Sequence, residues 1–233
     1  MFGDIVGYFF HPGECLDLLR YSDIPIHFIK GNHETLLRDE RWQEDASNEM
    51  VLAGIQHADS ILSNEQHEFL QELPRSLNFE EWGIAVSHDC FHYPGIGHYI
   101  LFCGQAEDGL QCSKELESVS QQLQIGFLGH THIPFLYEWI ADRCRAPYED
   151  DINDRDIVLR PEARYLINPG SLGQPRDRDN RTAYGLLDLG EQKIFHLRRI
   201  AYDNEQEIEI IKEMKIESQK TIEKLQNRLL RGW

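Results

Sequence analysis

The sequence predicts an α/β fold, and three observations point to it. Short apolar runs of strand length alternate with longer segments of helical period in the first half of the chain. The second half breaks into brief apolar stretches separated by Gly, Pro, Asp and Asn, a pattern of antiparallel strands and hairpins. Three of the apolar runs end in clusters of His, Asn and Gly. In sheets fed by helices, ligands bind beyond the carboxyl ends of the strands, so these clusters are positioned to converge.

The first helix is predicted over residues 13–20, followed by a strand at 26–29 that ends in Gly31-Asn32-His33. Residues 34–73 read mostly as helix, with Met50, Ala53, Ile61, Leu62, Phe69 and Leu70 set among charges. Residues 83–87 form a short apolar run ending at His88. A helix over 114–122 leads into a strand at 125–128 that ends in Gly129-His130-Thr131-His132. Strands are expected at 135–140, 164–167, 183–189 and 193–200, with the acidic stretch 149–156 as an exposed loop. The segment 204–230, rich in Glu, Lys, Gln, Ile and Leu, reads as one charged amphipathic helix packing on the body or on a second subunit. No repeat or low-complexity linker divides the chain, and its 233 residues fit a single domain, 1–233.

Composition excludes several classes. With 41% hydrophobic and 10% aromatic residues the chain can build a core, so it is not a disordered protein. Forty acidic against 23 basic residues leave a net charge of −17. That field repels phosphate backbones and anionic lipid, which argues against long nucleic acid and membrane surfaces as partners. Its bland consequence is solubility. The five cysteines, Cys15, Cys90, Cys103, Cys112 and Cys144, are scattered and include no C-x-x-C pair. Neither a disulfide framework nor a thiolate zinc site is suggested, and a reduced, cytoplasmic setting fits. No apolar run approaches the roughly 20 residues that span a bilayer. The first residues lack the basic and apolar regions of a signal peptide.

Four pieces carry candidate chemistry: Gly3-Asp4, Gly31-Asn32-His33-Glu34, His88, and Gly129-His130-Thr131-His132. They offer a carboxylate, an amide oxygen and several imidazoles, a mixed set that suits Mn, Fe, Zn, Ni or Co better than Ca or Mg. Each alone has a dull explanation. A Gly-Asp pair is usually a turn, a lone His at a strand end is usually hydrogen-bonded, and H-x-H arises by chance in a chain with 11 histidines. Their order is what is specific.

That order resembles the calcineurin-like metallophosphoesterases, whose pattern is D-x-H, G-D-x-x-G, G-N-H-[DE], H, G-H-x-H. Gly3-Asp4-Ile5-Val6-Gly7 matches the second element in full. The runs Asp4-Ile5-Val6-Gly7-Tyr8, Asn168-Pro169-Gly170-Ser171-Leu172-Gly173-Gln174-Pro175-Arg176-Asp177 and Tyr202-Asp203 look like the small bacterial and archaeal phosphodiesterase branch. The resemblance implies two mixed β-sheets packed as a sandwich and flanked by helices, with 34–74 as a helical cap or flank. It implies two divalent transition-metal ions, Mn²⁺ first among them. Asp4 would bridge them, Asn32, His88 and His130 would complete the second ion's shell, and His132 would bind the first. His33 would steady developing charge or protonate the leaving oxygen. The Asn168-Pro169-Gly170-Ser171 turn would lie near the site. Arg176 would contact phosphate, with a surface salt bridge as its plain alternative.

The implied reaction is hydrolysis of a small phosphodiester or nucleotide. Alternatives are a phosphomonoesterase or phosphoprotein phosphatase, and a non-catalytic protein-binding scaffold of the same fold; a homo-oligomer through the C-terminal helix is a further expectation. The family's D-x-H element, with its strand and helix, should precede Gly3-Asp4 by several tens of residues, but only Met1 and Phe2 do so. Either the start of the chain is missing or the lineage has given up two-metal catalysis. The intact remaining ligands favour the former, and the first metal site is expected to be incomplete.

Overall fold

The computed structural model describes residues 1–37, 49–91, 114, 116, 117, 120–140, 143–145, 154–213 and 219–232. Helices α1 (Pro12–Arg20), α2 (Asn32–Leu36), α3 (Glu49–Ile61) and α4 (Asn64–Glu72) come first. They are followed by β1 (Ser76–Phe79), β2 (Ile84–Ser87), β3 (Ile125–Phe127), β4 (Phe135–Ile140), β5 (Arg143–Arg145), β6 (Asp156–Val158), β7 (Arg164–Asn168), β8 (Thr182–Leu189) and β9 (Lys193–Ile200). Helices α5 (Glu205–Glu213) and α6 (Gln219–Arg231) close the order.

The strands form two sheets. A six-stranded sheet runs β1-β2-β3-β7-β4-β5 and a three-stranded sheet runs β6-β9-β8. In the larger, β2, β3 and β7 are parallel, while β1, β4 and β5 pair antiparallel, so it is mixed. The smaller is antiparallel throughout. The parallel strands are covered on both faces, which is why β2 and β3 are buried at every position.

Alternation along each strand sorts the side chains into two cores. Ile84, Val86, Ile125, Phe127, Leu136, Tyr165 and Ile167 face the small sheet and meet Ile157, Phe195 and Leu197 from it. Ala85, Tyr137, Trp139 and Leu166 point the other way and pack with Phe91, Leu116 and Leu123. Two further clusters lie over the helices. Leu16, Ile55, Ala58, Leu62 and Leu70 join α1, α3 and α4 to Val6. Ile211, Leu225 and Leu229 pack on Tyr8, Phe10 and Met50. The apolar face of the C-terminal segment is therefore seated on the body of its own chain.

Several expectations need correction. The strand expected at 26–29 is not one, although Ile29 is fully buried in the inter-sheet core. The Met1 amino group donates to His27 O and Ile29 N–H donates to Met1 O, and no ladder forms along these residues. Short β1, β5 and β6 were not anticipated; three or four residues are too few for a periodicity to register. The long helical reading over 34–73 is interrupted at Ser63, whose hydroxyl accepts the Gln66 N–H while Gln66 returns the bond to Ser63 N–H, a capping box that starts α4 afresh. Residues 38–48 lie outside the described residues. In place of one C-terminal helix there are two, α5 and α6, and 214–218 between them lie outside the described residues. Asn204 Nδ2 donates to Leu229 O, so the start of α5 meets the end of α6 as in an antiparallel pair. Of the helix expected at 114–122, residues 114, 116 and 117 are helical and 120–122 are not. The expected acidic loop at 149–156 falls mostly outside the described residues, and Asp156 opens β6.

Candidate metal centre

The three parallel strands end side by side, and the chain beyond them builds the site. His88 follows β2, His130 and His132 follow β3, and Asn168 is the last residue of β7. Asn168 ties these ends together: its Nδ2 donates to Gly129 O and Thr131 Oγ1, while its Oδ1 accepts the Gly170 N–H. The Asn168-Pro169-Gly170-Ser171 turn thus adjoins the His130–His132 loop, as the resemblance implied.

Asp4 and Asn32 arrive from outside the sheet. Gly31 N-caps α2, and a Cβ there would stand 2.2 Å from Asp4 Oδ1, so only glycine lets the two loops approach this closely. Glu34 is fully buried, and its carboxylate accepts the N–H groups of Asp4, Ile5, Val6 and Gly31 at 2.7–3.1 Å. That clasp fixes the backbone on both sides of Asp4. Three site residues are held in left-handed backbone: Asp4 at φ 53°, His130 at φ 60° and His132 at φ 60°. Such conformations are uncommon for residues other than glycine, and they persist where surrounding contacts impose them.

Four potential ligand atoms meet. His88 Nε2 lies 3.2 Å from Asp4 Oδ2 and 3.0 Å from Asn32 Oδ1. His130 Nδ1 lies 2.9 Å from Asn32 Oδ1 and 3.2 Å from His88 Nε2. Among the described residues, Asp4, His88 and His130 are the cluster whose His and carboxylate ligand atoms lie within 4.8 Å of one another. The back of His88 is tied down, since Nδ1–H donates to Phe2 O at 2.6 Å. That bond fixes which nitrogen faces the centre, the usual outer arrangement for a ligating histidine. Transition-metal ions hold N and O ligands at about 2.0–2.2 Å, which sets ligands at right angles about 3 Å apart. The observed 2.9–3.2 Å spacings are of that size, so the residues fit a divalent ion.

The two flanking imidazoles are placed differently. His33 Nδ1–H donates to Val6 O at 3.0 Å, leaving Nε2 3.9 Å from Asp4 Oδ2. It stands beside the cluster rather than in it. His132 Nδ1–H donates to Gln174 O at 2.7 Å, and His132 lies outside the cluster of three. Tyr8 touches both, its ring centre 4.8 Å from that of His33 and 6.0 Å from that of His132. Arg176 reaches the same place: its Nη2 donates to Tyr8 Oη and to Gln174 Oε1, both at 2.8 Å. Among the described residues no carboxylate pairs with Arg176.

The charges are strongly coupled. Burial opposes ionisation of Asp4, but the imidazoles of His33, His88 and His132 outweigh it and hold the carboxyl well below its usual range. Burial pushes His88 down, yet the Asp4 carboxylate and the bond to Phe2 O carry it up to about 9. His130 is lowered to about 4, first by burial and then by His88. His132 is lowered well below the ordinary value by burial and by Arg176. Glu34 is raised by burial and then by Asp4, with its backbone N–H bonds pulling the other way.

Sequence reasoning assigned no role to Glu34, Tyr8, Gln174 or Arg228. The first three sit inside the motifs that carry the resemblance. Arg228 has no such signal; it reaches Gln174 Oε1 only because α6 folds back onto the body.

A family model described as the calcineurin-like phosphoesterase superfamily domain matches residues 1–192. An uncharacterised protein of Methanocaldococcus jannaschii is 31% identical over 203 residues, covering 86% of this chain and 74% of its own. The crystal structure of a metallophosphoesterase from Sphaerobacter thermophilus is similar with a TM-score of 0.70 at 25% identity, over 99% of this chain and 86% of that one. A hypothetical protein from Pyrococcus horikoshii shares the fold at a TM-score of 0.71 and 19% identity, over 96% and 82% of the two chains. The match over most of the chain agrees with the strand-end cluster of carboxylate, amide and imidazoles: the chain belongs to the calcineurin-like phosphoesterase superfamily, whose general chemistry is metal-dependent hydrolysis of phosphate esters.

Proposed function

We propose that this chain hydrolyses a small phosphodiester or a nucleotide ester in the cytoplasm, with a divalent transition metal, Mn²⁺ first, held by Asp4, Asn32, His88 and His130. The observation that carries the reading is the convergence of four ligand atoms from four chain segments, with His33 held beside them by Val6 O. When bound, such an ion polarises a phosphoryl oxygen and brings the pKa of a coordinated water toward neutrality.

The chain's own residues do the rest. Asp4 carries the negative charge of the ligand set and also accepts the His33 backbone N–H at 3.1 Å, which couples ligand and acid positions. The bond from His33 Nδ1–H to Val6 O leaves Nε2 as the nitrogen that can give a proton to the departing oxygen. His132 borders this region and is the residue from which a second ion would be held. Arg176 and Tyr8 line the approach and supply donors for the substrate's phosphoryl oxygens.

The net charge of −17 makes long nucleic acid a poor partner, so a small ester is favoured. Among the described residues no helix is long and apolar enough to cross a membrane. Ile211, Leu225 and Leu229 of α5 and α6 pack on Tyr8, Phe10 and Met50, so a homo-oligomer through these helices would use their outward faces.

The test is turnover of Mn²⁺-loaded protein on bis(p-nitrophenyl) phosphate against p-nitrophenyl phosphate, with metal content measured in parallel. Metal-dependent cleavage with the diester preferred supports the reading. Preference for the monoester moves the assignment to a phosphomonoesterase. Stoichiometric metal with no turnover on either moves it to a binding scaffold.

A further inference from the structure

Gln174 ties the loop that follows the Asn168 turn to the metal centre, once through its main chain and once through its side chain. Its N–H donates to Ser171 Oγ at 3.0 Å, and its carbonyl accepts His132 Nδ1–H at 2.7 Å. Two residues on, Arg176 N–H donates to His132 O at 3.2 Å. The backbone at 174–176 is therefore fastened to His132 at both ends, and this sets the direction in which the Gln174 side chain leaves it.

That side chain is buried, and its Oε1 accepts Arg176 Nε at 3.2 Å and Arg176 Nη2 at 2.8 Å. Nη2 also donates to Tyr8 Oη at 2.8 Å. Gln174 and Tyr8 thus engage Nε–H and both N–H groups of Nη2. Nη1 has no acceptor among the described residues, and its N–H groups are the part of the guanidinium left for an oxyanion. An arginine that is not held spreads over many rotamers, and gripping an anion then costs the entropy of selecting one. Here the selection is made before substrate arrives. The C-terminal helix holds the same oxygen, since Arg228 Nη1 donates to Gln174 Oε1 at 2.6 Å.

The other end of the amide is poorly served. Gln174 Nε2 is buried and has no acceptor among the described residues. A buried donor left unmet destabilises a fold, so methionine, close to glutamine in shape and without a donor, would suit the packing better. Stability therefore does not account for an amide at this position, whereas its acceptor oxygen does.

We infer that Gln174 is a positioning residue, whose side chain presents Arg176 to the phosphoryl oxygens of the ester and acts through Arg176 rather than on the substrate. The inference rests on the reading that the adjoining centre hydrolyses phosphate esters with Arg176 as a phosphoryl contact. A mere brace between the loop and α6 would differ in two ways. Its substitution would lower stability, and its effect on turnover would be independent of Arg176.

The test uses the full chain loaded with Mn²⁺ and bis(p-nitrophenyl) phosphate, and compares Gln174→Met, Arg176→Gln and the double variant. Gln174→Met should melt at or above the wild type and keep its metal content, because the bond to His132 comes from the main chain. It should lower kcat/KM by at least about fivefold, the scale of a weakened charge-assisted hydrogen bond. That loss should divide between kcat and KM as it does in Arg176→Gln. The double variant should be at most about twofold worse than Arg176→Gln, since residues acting through one contact are not additive. The inference is overturned if Gln174→Met fails to fold, melts lower or loses metal. It is also overturned if kcat/KM is unchanged in either single variant, if the two divide their losses differently, or if the losses multiply in the double variant. If the wild type turns over no ester, the hydrolytic reading has failed, and calorimetry of the Mn²⁺-loaded protein with inorganic phosphate decides the positioning alone. Phosphate affinity weakened alike in both single variants, by at least about threefold, would sustain it. Unchanged affinity in Gln174→Met, or no binding in the wild type, would overturn it.

Discussion

The Glu34 carboxylate accepts the backbone N–H of Asp4 at 2.8 Å, so one buried acid holds in place the chain that carries another. Both Glu34 oxygens are used, Oε1 by Ile5 and Val6 and Oε2 by Asp4 and Gly31. Glu34→Gln would keep the volume but set an NH₂ group against two of those donors. Leaving buried donors unmet costs about 1–3 kcal/mol each. We expect a loss of about 2–4 kcal/mol in urea unfolding, together with weaker metal binding because Asp4 is no longer fixed. Unchanged stability would show that the clasp is not what orders this loop.

His33 and His130 should separate in their effects. His33→Ala should lower kcat by roughly 10²–10⁴-fold, the worth of a general acid, with metal content near normal. His130→Ala should reduce metal content, since its Nδ1 faces Asn32 Oδ1 and His88 Nε2. Equal loss of metal in both variants would make His33 a ligand and contradict the division of roles.

Gly7 tests whether His33 needs its present position. Its backbone is at φ +111°, and an added Cβ would lie 1.9 Å from His33 Nδ1. Gly7→Ala should displace the imidazole from Val6 O and lower kcat toward the His33→Ala level, while His88 and His130 still take up metal. A variant with normal kcat would mean that the loop yields without cost.

The C-terminal helices supply a packing test. Leu225 is about 1% exposed within the cluster of Tyr8, Phe10 and Met50. Leu225→Ala should destabilise the protein by about 2–4 kcal/mol, as for other fully buried leucines. A change within about 0.5 kcal/mol, the range of surface substitutions, would show that α6 is not part of the cooperative fold.

Much of this architecture is legible in the chain because parallel strands need few residues to declare themselves. Residues 83–87 and 125–128 are apolar, end in His-bearing turns and become β2 and β3 almost as read. Residues 26–29 are equally apolar yet form no ladder, because strand pairing depends on a neighbour that the local pattern does not specify. The candidate ligand residues are visible as an ordered motif, but their geometry is not. The left-handed backbone of Asp4 and His130 comes from long-range contacts, such as the Glu34 clasp, that no local propensity encodes. Arg228 was hidden for the same reason: a lone arginine on an amphipathic helix has no local mark of function.

Metal uptake should release a proton. In the metal-free protein His88 is raised from 6.5 to about 9, because the Asp4 carboxylate and the bond to Phe2 O outweigh the cost of burial. At pH 7 it is therefore protonated at both nitrogens, with Nε2–H placed to donate to Asp4 and Asn32. That proton stands where a metal ion would be and must leave before Nε2 can bind one. The sign of the stability effect follows. A folded-state pKa above the unfolded one contributes stability that is complete below about pH 6.5 and is lost as pH rises through about 9. Metal binding should run the opposite way, with affinity rising by about tenfold per pH unit until it levels near that value. We expect about one proton released per ion from His88 at pH 7, and nearly none at pH 10. Isothermal titration with Mn²⁺ in buffers of different ionisation enthalpy measures this number directly. His88→Gln should abolish the release even if a weakened site still takes metal. Absence of proton release at pH 7 in the unaltered protein would mean that His88 is neutral before metal arrives, and that the Asp4–His88 pair is not the charged couple described.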